Sequence, residues 1–334
     1  MTNLYDMIES NEISANAHGG TELMIRKIYD GFIPRDILNH FQIIPSRVRD
    51  LKEDKYRIYI VNDLVNDSEC HRALSNGAWK NFHRVVFVSH MQAQEFIRAY
   101  NIPWSKVVVL YNAVWPIETK EKPSDKINLI YHTTPHRGLN ILISVFERLV
   151  EKYPQINLDI YSSFAAYGWE ERDKEFEPLF EKCKATKNVN FHGFKSNDIV
   201  REALKDAHIF AYPSIWQETS CLALMEAMSA ECLCIHPDFG ALPETAANWT
   251  MMYHWNEDVN IHAGIFYSVL ENGINSFINK DPNVRAHLQM QARYANAFYN
   301  WENRRIQWKN FLESVLSSNE PRSFPRDEFV YNTK

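Results

Sequence analysis

Apolar positions along the chain fall in two patterns: short unbroken runs, and stretches where they recur three and four residues apart. Four runs of strand length come first, at Phe41–Ile44, Tyr56–Val61, Val85–Val88 and Val107–Leu110. Uninterrupted and rich in β-branched residues, they predict a parallel sheet covered on both faces. Met91–Tyr100 reads as a helix between the last two runs. Ahead of them Gly19-Gly20-Thr21-Glu22 opens a helix with Met24, Ile25, Ile28, Tyr29 and Phe32 on its apolar side. Residues 1–18 are polar and irregular, and contain no strand. Residues 115–126, charged and holding Pro116 and Pro123, are expected to link two domains.

The second half repeats the alternation. Ile127–Tyr131 is a strand, followed by a helix with Leu139, Leu142, Phe146, Leu149 and Tyr153 on one face. Further strands are expected at Leu158–Tyr161, His208–Tyr212 and Glu231–Ile235. Ser196 or Asn197 caps a helix running through Leu204, and Trp169 is expected to cover the edge of the core. Near the end Trp301, Trp308, Phe311, Leu312 and Val315 mark an amphipathic helix. Strands alternating with helices predict an α/β chain.

The most informative stretch is Pro213–Met228. After the His208–Tyr212 strand a short loop leads to Leu222, Met225 and Met228, which keep helical spacing. Thr219 or Ser220 is expected as the N-cap. Such a helix start offers unpaired N–H groups and a positive dipole end, which suit a phosphate. Glu218 precedes the cap and Glu226 lies inside the helix. Eight residues of helical rise span about 12 Å, roughly the reach from a sugar to a ribose across a diphosphate.

These residues resemble retaining glycosyltransferase family 4, and phage and bacterial sugar transferases with a short N-terminal domain. The likeness rests on Glu218-x7-Glu226 within the PSxxxE…EAM text, on the Gly19-Gly20-x-Glu22 loop, and on Arg137-Gly138. It implies the GT-B architecture, two Rossmann-like domains with parallel sheets facing across a cleft. Residues 1–114, rejoined by a C-terminal helix in 300–334, would form the acceptor domain, and 115–299 the donor domain. It also implies roles: Glu218 beside the donor sugar, Glu226 on the ribose, Gly19 and Gly20 facing the phosphates. Arg137 matches the basic residue that grips the diphosphate, and guanidinium suits phosphate by charge and fork geometry. Where the family often has a second arginine, this loop has His132, Thr133 and Thr134. Thr219, Ser220, Cys221 and Leu222 bring the helix start to the phosphates. Gly193 and Phe194 neighbour the base, and Gly240 lets a backbone N–H approach the sugar. At the end of the Tyr56–Val61 strand, where the family often has histidine, stand Asn62 and Asp63. Residues beyond the carboxyl ends of parallel strands face ligands, so both are candidates for contact with sugar or acceptor. A turn-capping role for Asp63 is the alternative.

With 334 residues the chain is long enough for two cores, and its net charge of −6 disfavours broad capture of nucleic acid. No run of eighteen apolar residues is present, and the start carries no basic-then-apolar leader, so no membrane span or signal peptide is expected. The five cysteines show no disulfide or zinc spacing, which fits a reducing, cytoplasmic setting. There is no Asp-x-Asp, so a metal-bridged diphosphate is not expected. The resulting expectation is transfer of a sugar from a nucleotide-diphosphate donor, UDP- or GDP-linked, to an acceptor hydroxyl, with no further cofactor. A transferase acting on modified DNA bases and a sugar-nucleotide-binding protein without turnover are the alternatives.

Overall fold

A computed structural model describes residues 20–318 and 320–323. These divide into two compact units, one of residues 20–113 with 301 onward, the other of residues 114–300.

In the first unit β1 (Phe41–Pro45), β2 (Tyr56–Val61), β3 (Arg84–Phe87) and β4 (Val107–Val109) form one sheet in that order. All its pairings are parallel. β1, β2 and β3 bury residues on both faces and β4 is half-buried, which is why apolar residues dominate all four. Ile58, Ile60 and Val86 point into one core with Met24, Ile25, Ile28, Trp308 and Leu312. Tyr59, Val61, Val85 and Phe87 point into the other with Cys70, Leu74 and Phe96. Trp301, Trp308, Phe311, Leu312 and Val315, all on the Trp301–Ser317 helix, complete the first of these cores. The opening helix is shorter than its apolar spacing predicts. It runs Gly20–Lys27 and turns irregular at Asp30 and Gly31, where Gly31 adopts φ +78°.

In the second unit β5 (Ile127–Tyr131), β6 (Ile156–Ile160), β7 (Val189–Phe191), β8 (Ile209–Ala211), β9 (Leu233–Pro237) and β10 (Met251–Tyr253) make one parallel sheet. Their spatial order is β10-β9-β8-β5-β6-β7. The chain therefore builds outward from β5 in one direction, then restarts at β8 on its other side. Loops leaving the carboxyl ends of β5 and β8 diverge at this switch point, where open α/β sheets bind ligands.

Residues 115–126 are no free linker. Ile117 is buried, and its N–H donates to Ser229 Oγ at 2.8 Å. Lys120 pairs with Asp206 at 2.8 Å, and Lys122 donates to the carbonyls of Ala207 and Ala230. Their charge looks like a solvated tether in sequence; here the cations cap open carbonyls and a carboxylate. Trp169 also departs from expectation: it is 48% exposed, beside Tyr167 and under the Arg172 guanidinium.

Candidate active site

The loop after β5 carries His132 to Gly138, and the loop after β8 carries Pro213 to Cys221. They pack directly on each other. Gly138 sits at φ +112°, and a side chain there would run into the Pro213 carbonyl. One residue earlier, Arg137 Nη1 reaches Glu218 Oε1 at 2.5 Å. His136 stacks on Phe164 from the loop after β6 and meets Trp216 edge-on. Thus the loops from three adjacent strands converge on one arginine and one glutamate.

Glu218 is 3% exposed and holds its place by three tethers. The first is Arg137. The second is the Tyr212 hydroxyl, which donates to the same Oε1. The third is backbone: Ala241 N–H donates to the Glu218 carbonyl at 2.7 Å. Gly240, at φ +61°, lies so close that a Cβ would stand 2.6 Å from the Glu218 N and O atoms. Gly240 therefore supports the glutamate's backbone. Burial opposes the charge on Arg137, but Glu218 together with Tyr167, Tyr212 and Cys221 outweighs that and holds the guanidinium firmly protonated. Burial, then the Glu218 charge, pushes the Tyr212 phenol well above its ordinary range, so it stays a donor.

Arg137 also donates to the Tyr167 hydroxyl at 3.3 Å, and its Nε is buried with no partner. Thr134 Oγ1, His132 Nε2, His136 Nδ1 and Ser220 Oγ are likewise buried without one. Such a concentration of unmet polar atoms is costly unless a ligand or water meets them. Thr133 lies against the Tyr131 hydroxyl. Burial lowers the imidazoles of both His132 and His136 to about 4, with Arg137 adding to the effect on His136. Near neutral pH both rings are uncharged, which leaves Arg137 as the cation of this loop.

The helix expected after Glu218 runs Leu222–Ser229. Its N-cap is Cys221, not Thr219 or Ser220, and it has no side-chain cap bond. Thr219 and Ser220 instead lie in the loop before it, and the Cys221 thiol sits against the Ala223 and Leu224 N–H groups. Glu226 lies on the next turn, 7% exposed. It accepts from Asn197 Nδ2 at 3.1 Å and 3.2 Å, and from Arg201 Nη1 at 3.2 Å. Burial raises its pKa against the pull of those two partners. Asn197 therefore serves this carboxylate, and Ser196 takes the cap position of its helix. Gly193 (φ +62°) and Phe194 (40% exposed) follow β7.

In the first unit, Asn62 and Asp63 leave the carboxyl end of β2. Asn62 donates to Ser46 Oγ at 3.4 Å. Gln92 Nε2 holds the Val61 and Asp63 carbonyls at 3.2 Å and 2.8 Å. The following helix is capped by Asp67, which accepts from Glu69 and Cys70 N–H. Asp63 Oδ2 is buried without a partner, and burial with the nearby Asp67 charge raises its pKa. Asp63, Asp67 and Cys70 bring ligand atoms within 4.8 Å of one another. Asp67 is occupied by the cap, and burial keeps the Cys70 thiol protonated, so the trio is poorly suited to a metal. Gly19 lies outside the described residues, and Gly20 is the first residue of its helix.

Residues 115–293 match the family model described as glycosyl transferases group 1. The chain belongs to this family. Among its relatives is the phosphatidylinositol N-acetylglucosaminyltransferase gpi3 subunit of Schizosaccharomyces pombe, 22% identical over 255 residues, covering 75% of this chain and 52% of the relative. A glycosyltransferase of Methanocaldococcus jannaschii is 22% identical over 196 residues, covering 54% of this chain and 48% of the relative. The chain thus spans about half the length of these curated relatives. A Rickettsia africae glycosyltransferase structure aligns at TM-score 0.64 and 15% identity, covering 90% of this chain and 89% of that one. Anabaena Alr3699/HepE in complex with UDP-glucose aligns at TM-score 0.60 and 18% identity, covering 79% and 72%. These structural likenesses establish the fold, parallel-sheet α/β units of the GT-B class. Every site feature of the second unit falls inside the group 1 match. Among the described residues no helix is long and apolar enough to cross a membrane.

Sequence reasoning misses Tyr212, Tyr167, Asn197 and Arg201. All four act through contacts 6 to 30 residues away in the chain. For Tyr212 the text offers only its place, just past β8 and six residues before Glu218.

Proposed function

We propose that the chain is a retaining glycosyltransferase of family 4, akin to phage and bacterial sugar transferases. It would move a sugar from a UDP- or GDP-sugar to an acceptor hydroxyl without a metal ion. The observation that carries this reading is the meeting of Arg137 and Glu218 at the switch point, at 2.5 Å. Donor binding is assigned to residues 115–299, and acceptor binding to 1–114 with 300–334, where Asn62 and Asp63 offer polar contacts. The five free, buried cysteines fit a cytoplasmic setting.

Transfer breaks the bond between the sugar's reacting carbon and the β-phosphate oxygen, and that oxygen keeps the electron pair. The acceptor oxygen bonds to the same carbon, and its proton ends on the departing diphosphate. Negative charge grows on the diphosphate. Arg137, with an unmet Nε, and the N–H groups at Thr219, Ser220, Cys221 and Leu222 would stabilise it; Thr134 and Ser220 add hydroxyls. A preorganised donor of this kind is worth on the order of 3 kcal/mol. Glu218 would orient the sugar and support positive charge at its carbon, while Glu226 would hold the ribose, with Gly193 and Phe194 near the base.

The test is proton NMR of transfer from UDP- and GDP-sugars, which reads the anomeric configuration of the product. We expect a retained anomer and unchanged turnover with a chelator. An inverted product, or activity abolished by EDTA and restored by magnesium, overturns the reading. Glu218→Ala should abolish turnover, whereas Glu226→Ala should chiefly raise the donor KM; full activity in both removes the assignment.

A further inference from the structure

Arg137 is the cation of its loop, and its charge is already partly balanced by Glu218, 2.5 Å away. A diphosphate brings more negative charge than this one guanidinium offsets, and neutral donors or water must meet the rest. The loop after β6 supplies one such donor. It turns through Phe164–Tyr167, and side chains fix that turn firmly. Ser163 Oγ accepts from Ala165 N–H at 2.9 Å and donates to Asp173 Oδ2, while Phe164 N–H donates to Asp173 Oδ1 at 2.8 Å. Gly168 then leaves the turn at φ +73°. The turn meets the Arg137 loop twice. Phe164 stacks on His136 with ring centroids 5.1 Å apart, and the Tyr167 hydroxyl accepts from Arg137 Nη2 at 3.3 Å. A hydroxyl that accepts one bond keeps its own proton to give. Among the described residues the Tyr167 hydroxyl makes no other hydrogen bond, so that proton is uncommitted, beside a guanidinium whose Nε is also unmet.

We propose that Tyr167 is a second diphosphate-binding residue, whose hydroxyl accepts from Arg137 and donates its proton to the phosphate nearer the sugar. This role rests on the donor reading above and draws on a loop which that reading does not use. Two loops then grip the diphosphate from adjacent strands, one with a cation and one with a neutral phenol. A hydrogen bond given to an anion strengthens as charge grows on it, so the phenol would aid departure of the diphosphate as well as its binding.

Calorimetric titration of the whole chain with UDP and GDP, and with UMP and GMP, tests this. Tyr167→Phe keeps the ring against Trp169 and deletes only the hydroxyl. It should weaken the preferred diphosphate about tenfold and leave the matching monophosphate within about twofold. Undiminished binding of the monophosphate also shows that the site is still folded. A tyrosine that only holds Arg137 in place loses its effect once the guanidinium fork is gone, whereas a direct contact survives. In an Arg137→Lys background Tyr167→Phe should therefore still weaken the diphosphate about fivefold. Unchanged affinity in Tyr167→Phe, equal losses with diphosphate and monophosphate, or no further loss in the Arg137→Lys background overturns the inference while leaving the donor reading standing. A wild type that binds neither diphosphate overturns both.

Discussion

Arg137 and Glu218 illustrate how much one buried pair asks of its neighbours. Removing one partner from such a pair costs about 3–5 kcal/mol, because the other charge is stranded. Arg137→Met should therefore destabilise the fold as well as stop transfer, and urea titration will separate the two losses. Tyr212→Phe is a milder probe. It deletes one donor to Glu218 and should cost about 1–3 kcal/mol, with turnover reduced while nucleotide affinity is kept. Equal turnover in Tyr212→Phe and wild type would show that this bond does not orient the carboxylate. Gly240→Ala acts through backbone: φ +61° and a Cβ 2.6 Å from Glu218 N and O leave no room. Strain of this kind costs on the order of 1–3 kcal/mol before any clash is relieved. Glu218, Glu226 and Arg137 were legible as residues because charged groups beside a glycine or a helix start stand out in the text. Tyr212, Asn197 and Arg201 did not, since an aromatic strand end and two polar helix positions look like ordinary surface until a fold brings a carboxylate to them.

At the level of elements, the strands were the most readable part. β2 and β5 occupy Tyr56–Val61 and Ile127–Tyr131, the bounds expected from their apolar runs, because a strand buried on both faces needs nothing else from its sequence. Ends and connectors were harder. The Leu222–Ser229 helix is capped at Cys221, just past the two hydroxyl residues that look like caps in the text. The 115–126 stretch is charged and proline-bearing, like a tether, yet its cations find carbonyl and carboxylate partners on the second unit. Ser229 shows how that attachment is built: its Oγ accepts from Ile117 N–H at 2.8 Å and donates to Asn296 Oδ1 at 2.5 Å. Ser229→Ala leaves a buried N–H and an amide oxygen unmet, and should cost about 1–3 kcal/mol. Hydrogen exchange should then rise at Ile117 in particular. Unchanged protection there would mean that the serine does not anchor the strap.

For the molecule as a whole, pH is the revealing variable, because burial leaves several imidazoles uncharged. His83, His132, His136, His208 and His236 are each lowered to about 4, with burial the leading cause in every case. In the unfolded chain a histidine titrates near about 6.5. Their folded values are depressed, so the unfolded chain binds more protons between about 4 and 6.5. The stability they contribute is fully present above the unfolded value and is lost as pH falls toward the folded one. Each proton taken up on unfolding gives a slope of about 1.4 kcal/mol per pH unit. Glu226 and Asp63 act in the other direction, since burial raises their pKa and they favour the folded state more as pH falls. The imidazoles outnumber them and dominate the balance. The melting temperature should be nearly level from about pH 8 to 7 and fall steeply from about 6.5 to 5. Calorimetry at about pH 5.5 in buffers of different ionisation enthalpy should register uptake of several protons on unfolding. A melting temperature that stays flat into the acid range, or unfolding without proton uptake, would mean these rings are charged in the native protein. The neutral setting assigned to the His132–Arg137 loop, with Arg137 as its lone cation, would fall with it.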